Sequence, residues 1–133
     1  MPVPGETFYV ETISNIDKTY KQLNDEFIRK NSGGYKDIVS ALSVGATGTV
    51  IAIIGIFYAG VVCAVAGIAL GIAGTAAAIQ KALENANYVS NMSKLKSGTY
   101  KYLRIKTSIY KTFTGSASGN MWSYTSKQTA QFI

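Results

Sequence analysis

From Thr12 to Lys30 the apolar positions fall at Ile13, Ile16, Tyr20, Leu23 and Phe27. Alternating steps of three and four residues place them on one side of an amphipathic helix, with Lys18, Lys21, Asp25 and Arg29 on the other. Ser32-Gly33-Gly34 should end this helix, because glycine accepts the left-handed conformation of a helix C-terminus. Residues 1–11 hold both prolines and predict an extended lead-in, from which Phe8 and Val10 can pack.

The pattern then changes to an almost unbroken apolar run from Ile38 to Gln80. It divides at the glycine-bounded segment Gly55-Ile56-Phe57-Tyr58-Ala59-Gly60 and leaves about 20 apolar residues on each side, the length that spans a bilayer core as a helix. So short a connection predicts two antiparallel neighbouring helices. Small residues recur at Ala41, Gly45, Gly48, Ala52, Gly55 and Ala59, and again at Gly60, Ala64, Gly67, Gly71, Gly74 and Ala78. Each series steps by four and three and draws a small-residue stripe down one helix face. Glycine costs about 1 kcal/mol relative to alanine inside a helix. Gly45, Gly48, Gly55, Gly60, Gly67, Gly71 and Gly74 therefore predict a compensating close approach of backbones, as in small-xxx-small membrane contacts. Ile51, Ile53, Ile54, Ile56, Phe57, Tyr58, Val61, Val62, Val65 and Ile68 are the bulky candidates for membrane insertion. Ile79, Leu83, Ala86, Val89, Met92 and Leu95 extend the second helix into water, as far as Ser97-Gly98.

After Gly98 the period shortens to two. Leu103, Ile105, Ile109 and Phe113 share one side of a strand over Thr99–Phe113, opposite Tyr100, Tyr102, Arg104, Lys106 and Tyr110. Thr114–Asn120 reads as a turn, and Met121–Phe132 as the returning strand. The expected fold is thus α+β and mostly helical, one domain over 1–133. Its parts are a lead-in and amphipathic helix (1–37), an apolar helical hairpin with a polar extension (38–96), and a basic, aromatic β-hairpin (97–133). An all-α chain, with a helix over 99–113, is the alternative. A two-stranded hairpin is marginal alone, so it needs a surface to lie on.

Charge sharpens the picture. The 133 residues are 47% hydrophobic and 15% charged, and between Asp37 and Lys81 there is no Asp, Glu, Lys, Arg or His. The net charge is +6. Lys94, Lys96, Lys101, Arg104, Lys106, Lys111 and Lys127 meet no acid beyond residue 84, and this one-signed half points to a polyanionic partner. Interleaved Tyr100, Tyr102, Tyr110, Trp122 and Tyr124 suit the interface of a membrane, where aromatic rings sit at headgroup depth and basic residues meet anionic lipid. Nucleic acid could use the same residues, but the neighbouring apolar run favours lipid.

Candidate chemistry is sparse. The chain has no histidine, and Cys63 is its single cysteine, read as a small buried hydrophobe. The acids do not have metal-loop spacing, and Gly33-Gly34-Tyr35-Lys36 lacks that of a phosphate loop. Neither an enzyme nor a cofactor is expected. Met1-Pro2-Val3-Pro4-Gly5 has neither the basic nor the apolar region of a signal peptide. Export by another route, or a mature form without its leader, is therefore expected.

A long Ala/Gly/Val/Ile-rich helical pair flanked by amphipathic and basic segments resembles the hydrophobic hairpin of pore-forming colicins. In composition it is also similar to small glycine-rich bacteriocins. The resemblance covers residues 38–80. It implies a secreted antibacterial protein that hides the hairpin in solution and inserts it at a target cell membrane, with a cognate immunity protein as a further partner. On this reading Lys94, Lys96, Lys101, Arg104, Lys106 and Lys111 concentrate the protein on anionic lipid. The glycine stripes then let hairpins self-associate into a leak. A resident membrane protein of holin or immunity type is one alternative. The other is a soluble binding module with the hairpin as its core.

Overall fold

The computed structural model describes residues 4–30, 34–66, 75–115 and 121–133. In chain order they form β1 (Thr7–Lys18), α1 (Tyr20–Arg29), α2 (Ile38–Ser43), α3 (Thr49–Ala66), α4 (Thr75–Asn85), α5 (Tyr88–Ser97), β2 (Leu103–Gly115) and β3 (Met121–Phe132). The strands make one antiparallel sheet in the order β1-β2-β3. Both the expected fold and its all-α alternative are therefore corrected: the chain is a three-stranded sheet with helices, and among the described residues there is no apolar helical hairpin.

The first correction lies in the N-terminal segment. Residues 12–18, expected as helix, belong to β1, which pairs with β2 from Thr7 opposite Thr112 to Lys18 opposite Leu103. β-Branched and aromatic residues from Thr7 to Ile16 favour a pleated strand. The pairing shifts between Tyr9 and Glu11 and again between Thr12 and Ser14, so Val10 and Ile13 are extra residues on β1. Each bulge reverses the in-and-out alternation, and this hides the period of two. The helix begins only after Thr19. Its hydroxyl accepts from the Gln22 N–H while the Gln22 side chain accepts from the Thr19 N–H, a capping box. α1 then buries Leu23 and Phe27. Ser32 and Gly33, expected to end it, lie outside the described residues.

The second correction concerns the apolar run. α3 continues without a break through Gly55–Gly60, where the hairpin turn was expected. The break falls earlier. Gly45 and Gly48 adopt φ of +67° and +87°, a region that side chains make costly. Beyond α2, the Gly45 N–H donates to the Leu42 carbonyl and the Ala46 N–H to the Ala41 carbonyl, a Schellman ending. Gly55 and Gly60 are flanked by Ile, Ala and Val with no Pro, Asn or Asp to start a turn, so the helix runs on. The expected extension is likewise two helices, α4 and α5, parted at Asn87 with φ of +54°. α5 ends at Ser97, where Gly98 has φ of +89°.

β1 resolves the instability of a lone hairpin by making β2 a central strand. Leu103 and Ile105 of β2 then join Leu23, Phe27, Ile53, Phe57, Ile79, Leu83 and Met92 in one core cluster. Ile16 and Ala130 pack against it from the flanking strands. The helices cover this inner face, whereas on the outer face Tyr9, Lys106, Lys127 and Thr129 are exposed.

Candidate functional site

Two surfaces carry features beyond what the fold requires: the outward side of α3 and the open face of the sheet. α3 is apolar all round, a composition that belongs to a buried or lipid-facing helix. It buries Ile53, Ile54, Phe57, Val61 and Val65, while Ile56 and Val62 are half-buried. Ile51 stays 69% exposed, and Tyr58 and Cys63 are exposed as well. The proposed inserting residues therefore split between two sides of one helix, and Ile68 lies outside the described residues. Val44, 66% exposed, precedes α3 in the connection from α2. No helix among the described residues is long and apolar enough to cross a membrane. α3 has 18 residues, about 27 Å of helix against a hydrocarbon core of ~30 Å.

The described glycines of the two expected stripes sit in different settings. Gly45 and Gly48 shape the connection before α3. A Cβ on Gly55 would lie 3.2 Å from Lys30 Nζ, and one on Gly60 would lie 2.7 Å from Ile16 Cδ1. The close approach at Gly60 is therefore to β1, not to a second apolar helix. Gly67, Gly71 and Gly74 lie outside the described residues.

The basic residues are also dispersed. Lys94 and Lys96 occupy the last turn of α5, where positive charge suits the helix dipole. Lys96 Nζ meets Asp37 Oδ2 at 2.6 Å. Asp37 also caps α2, its Oδ1 accepting from the Ser40 N–H at 2.6 Å. The Lys96 contact first, and the Ser40 bonds next, lower the Asp37 pKa to about 2. Arg104 makes a two-pronged contact with Asp17, 2.7 and 2.9 Å, which holds that carboxyl below its usual range. Lys111 sits 4.6 Å over the Trp122 ring. Thus β1 supplies an acid to the half that looked one-signed, and Lys101 and Lys106 are left exposed outside these pairs.

The aromatic set separates in the same way. Tyr100 packs on Phe132, with ring centroids 5.8 Å apart. Trp122 lies between Phe8 and Phe113 at 5.9 and 5.1 Å. Tyr102 and Tyr124 are exposed. Tyr110 meets Tyr9 edge to face at 5.7 Å. Tyr9, Thr12, Ser108 and Thr129 are not among the residues the sequence pattern marks, yet with Lys106, Tyr110 and Lys127 they line a groove of about 220 Å³ on the outer sheet face. The β-rich composition of residues 7–13 was the available signal. Among the described residues no group of three His, Cys, Asp or Glu side chains could hold a metal ion.

No protein-family model, curated protein or solved structure matches this chain.

Proposed function

We propose that the chain is a secreted, membrane-active antibacterial protein whose membrane-engaging element is α3. One observation carries the reading: a helix apolar on every side keeps an apolar face, with Ile51, Tyr58 and Cys63, in contact with water. Ile51 and Tyr58, seven residues apart, lie on one side of the helix, and exposed apolar side chains grouped in this way serve a partner or a bilayer. The charge-free stretch from Ile38 to Gln80 favours lipid. Lys94 and Lys101, which among the described residues make no ion pair, add about 1 kcal/mol each near anionic headgroups. α3 then enters the interfacial layer side-on, its exposed side leading while Ile53, Phe57 and Val61 stay packed in the core. A pair of spanning helices is not required. Crowding of one leaflet disturbs the bilayer.

Dye release from vesicles tests this at low ionic strength. Vesicles rich in phosphatidylglycerol should leak, phosphatidylcholine vesicles should not, and salt should suppress the leak. Ile51→Glu should remove the leak while leaving thermal unfolding within about 0.5 kcal/mol of the parent, because the site is exposed. Absence of leakage from anionic vesicles, or undiminished leakage by the Ile51 variant, would contradict the proposal.

A further inference from the structure

The open sheet face holds a concentrated positive charge that the fold does not use. Strand register lays out three adjoining rows on it: Asn15–Lys106–Thr129, Thr12–Ser108–Lys127 and Tyr9–Tyr110–Thr125. Lys106 and Lys127 are diagonal neighbours on adjacent strands, and like charges so placed repel each other. Among the described residues neither makes an ion pair. The next row brings Asp17 to this face, but Arg104 already holds both of its oxygens. Hydroxyls line the same groove as the two lysines. Tyr9 Oη is 2.9 Å from Thr12 Oγ1, which is 3.1 Å from Ser108 Oγ.

We propose that this groove binds one unit of a phosphodiester-linked polyol polymer. The paired lysines take the phosphate, an anion that lysine grips as a point charge. The hydroxyl run of Tyr9, Thr12 and Ser108 exchanges hydrogen bonds with the polyol, and no carboxylate lines the groove to repel the phosphate. The sheet lies between this groove and α3, so a lipid headgroup seated here would keep its bilayer away from α3. A soluble polymer has no such conflict. Tyr9 and Tyr110 engage each other edge to face, which leaves no parallel series of rings for consecutive bases to stack on. The site is independent of the membrane reading and stands or falls separately.

Glycerol 1-phosphate is the probe, titrated into the full chain at low ionic strength and followed by NMR shifts of the backbone amides of β1, β2 and β3. Binding should centre on residues 106–110 and 127–129, and should be tighter than for inorganic phosphate or glycerol alone. The double variant Lys106→Gln/Lys127→Gln should bind roughly tenfold more weakly. Its thermal stability should be equal or higher, since a repulsion is removed. Lys94→Gln/Lys101→Gln removes the same charge elsewhere and should bind as the parent does. Equal binding by the groove variant, equal loss in the control variant, or shifts away from the groove would overturn the proposal. So would a short RNA that binds the groove more tightly than glycerol 1-phosphate.

Discussion

Gly48 and Gly55 are the same residue in the same apolar run, with opposite structural demands. Gly48 adopts φ of +87°, so Gly48→Ala should destabilise the protein by about 1 kcal/mol or more through backbone strain. Gly55 lies inside α3, and the nearest obstacle to a Cβ is the mobile end of Lys30. Gly55→Ala should therefore stabilise by up to about 1 kcal/mol, the helix-propensity difference. Urea unfolding of both variants distinguishes them, and a loss at Gly55 would restore the close helix contact that the glycine spacing suggested. Asp37 supplies the pH dependence at this scale. Its folded pKa of about 2 lies below the ordinary 3.8. The stability it contributes is complete above about pH 4 and is lost as pH falls towards 2. Asp37→Asn retains a capping oxygen and removes the ionised partner of Lys96, so its stability curve should be flatter across that interval. A curve as steep as the parent's would place the acid sensitivity elsewhere.

At the scale of elements, local rules succeeded where structure repeats without interruption. The alternation of Leu103, Ile105, Ile109 and Phe113 marked β2, and Gly98 marked the end of α5. Leu23 and Phe27 marked the buried side of α1. They failed at β1 because Val10 and Ile13 each shift the register and break the alternation. There the steps between Ile13, Ile16, Tyr20 and Leu23 mimicked a helix across a strand-to-helix junction. The capping box at Thr19 was the local mark of the true boundary, and Thr19→Ala should cost about 1 kcal/mol in chemical unfolding. A negligible change would mean that α1 is held by the burial of Leu23 and Phe27 alone. In the apolar run, glycine spacing did not separate a turn from a helix, because glycine permits both. What decided it was the company each glycine keeps, together with the positive φ at Gly45 and Gly48.

For the whole molecule, the surfaces depend on pairings between distant parts of the chain. Tyr9 meets Tyr110, Thr12 meets Ser108, and Asp17 neutralises Arg104. None of these follows from a local period. The sequence did reveal the charge-free apolar stretch and the basic C-terminal half. It did not reveal that one helix would bury one side and leave Ile51 and Tyr58 of another exposed, or that the N-terminal strand would bring an acid among the bases. The resulting protein has an apolar helix face on the covered side of its sheet and a cationic, hydroxyl-lined groove on the open side.

Cys63 allows contact between α3 and lipid to be tested without altering the sequence. It is the single cysteine of the chain and is exposed on α3, so an environment-sensitive fluorophore can be attached there alone. On mixing with phosphatidylglycerol vesicles at low salt, the emission of the labelled protein should shift to the blue and brighten as α3 enters the interfacial layer. Phosphatidylcholine vesicles should leave it unchanged. An emission that stays water-like while the protein co-sediments with the anionic vesicles would show that another surface holds the membrane, and would contradict the account.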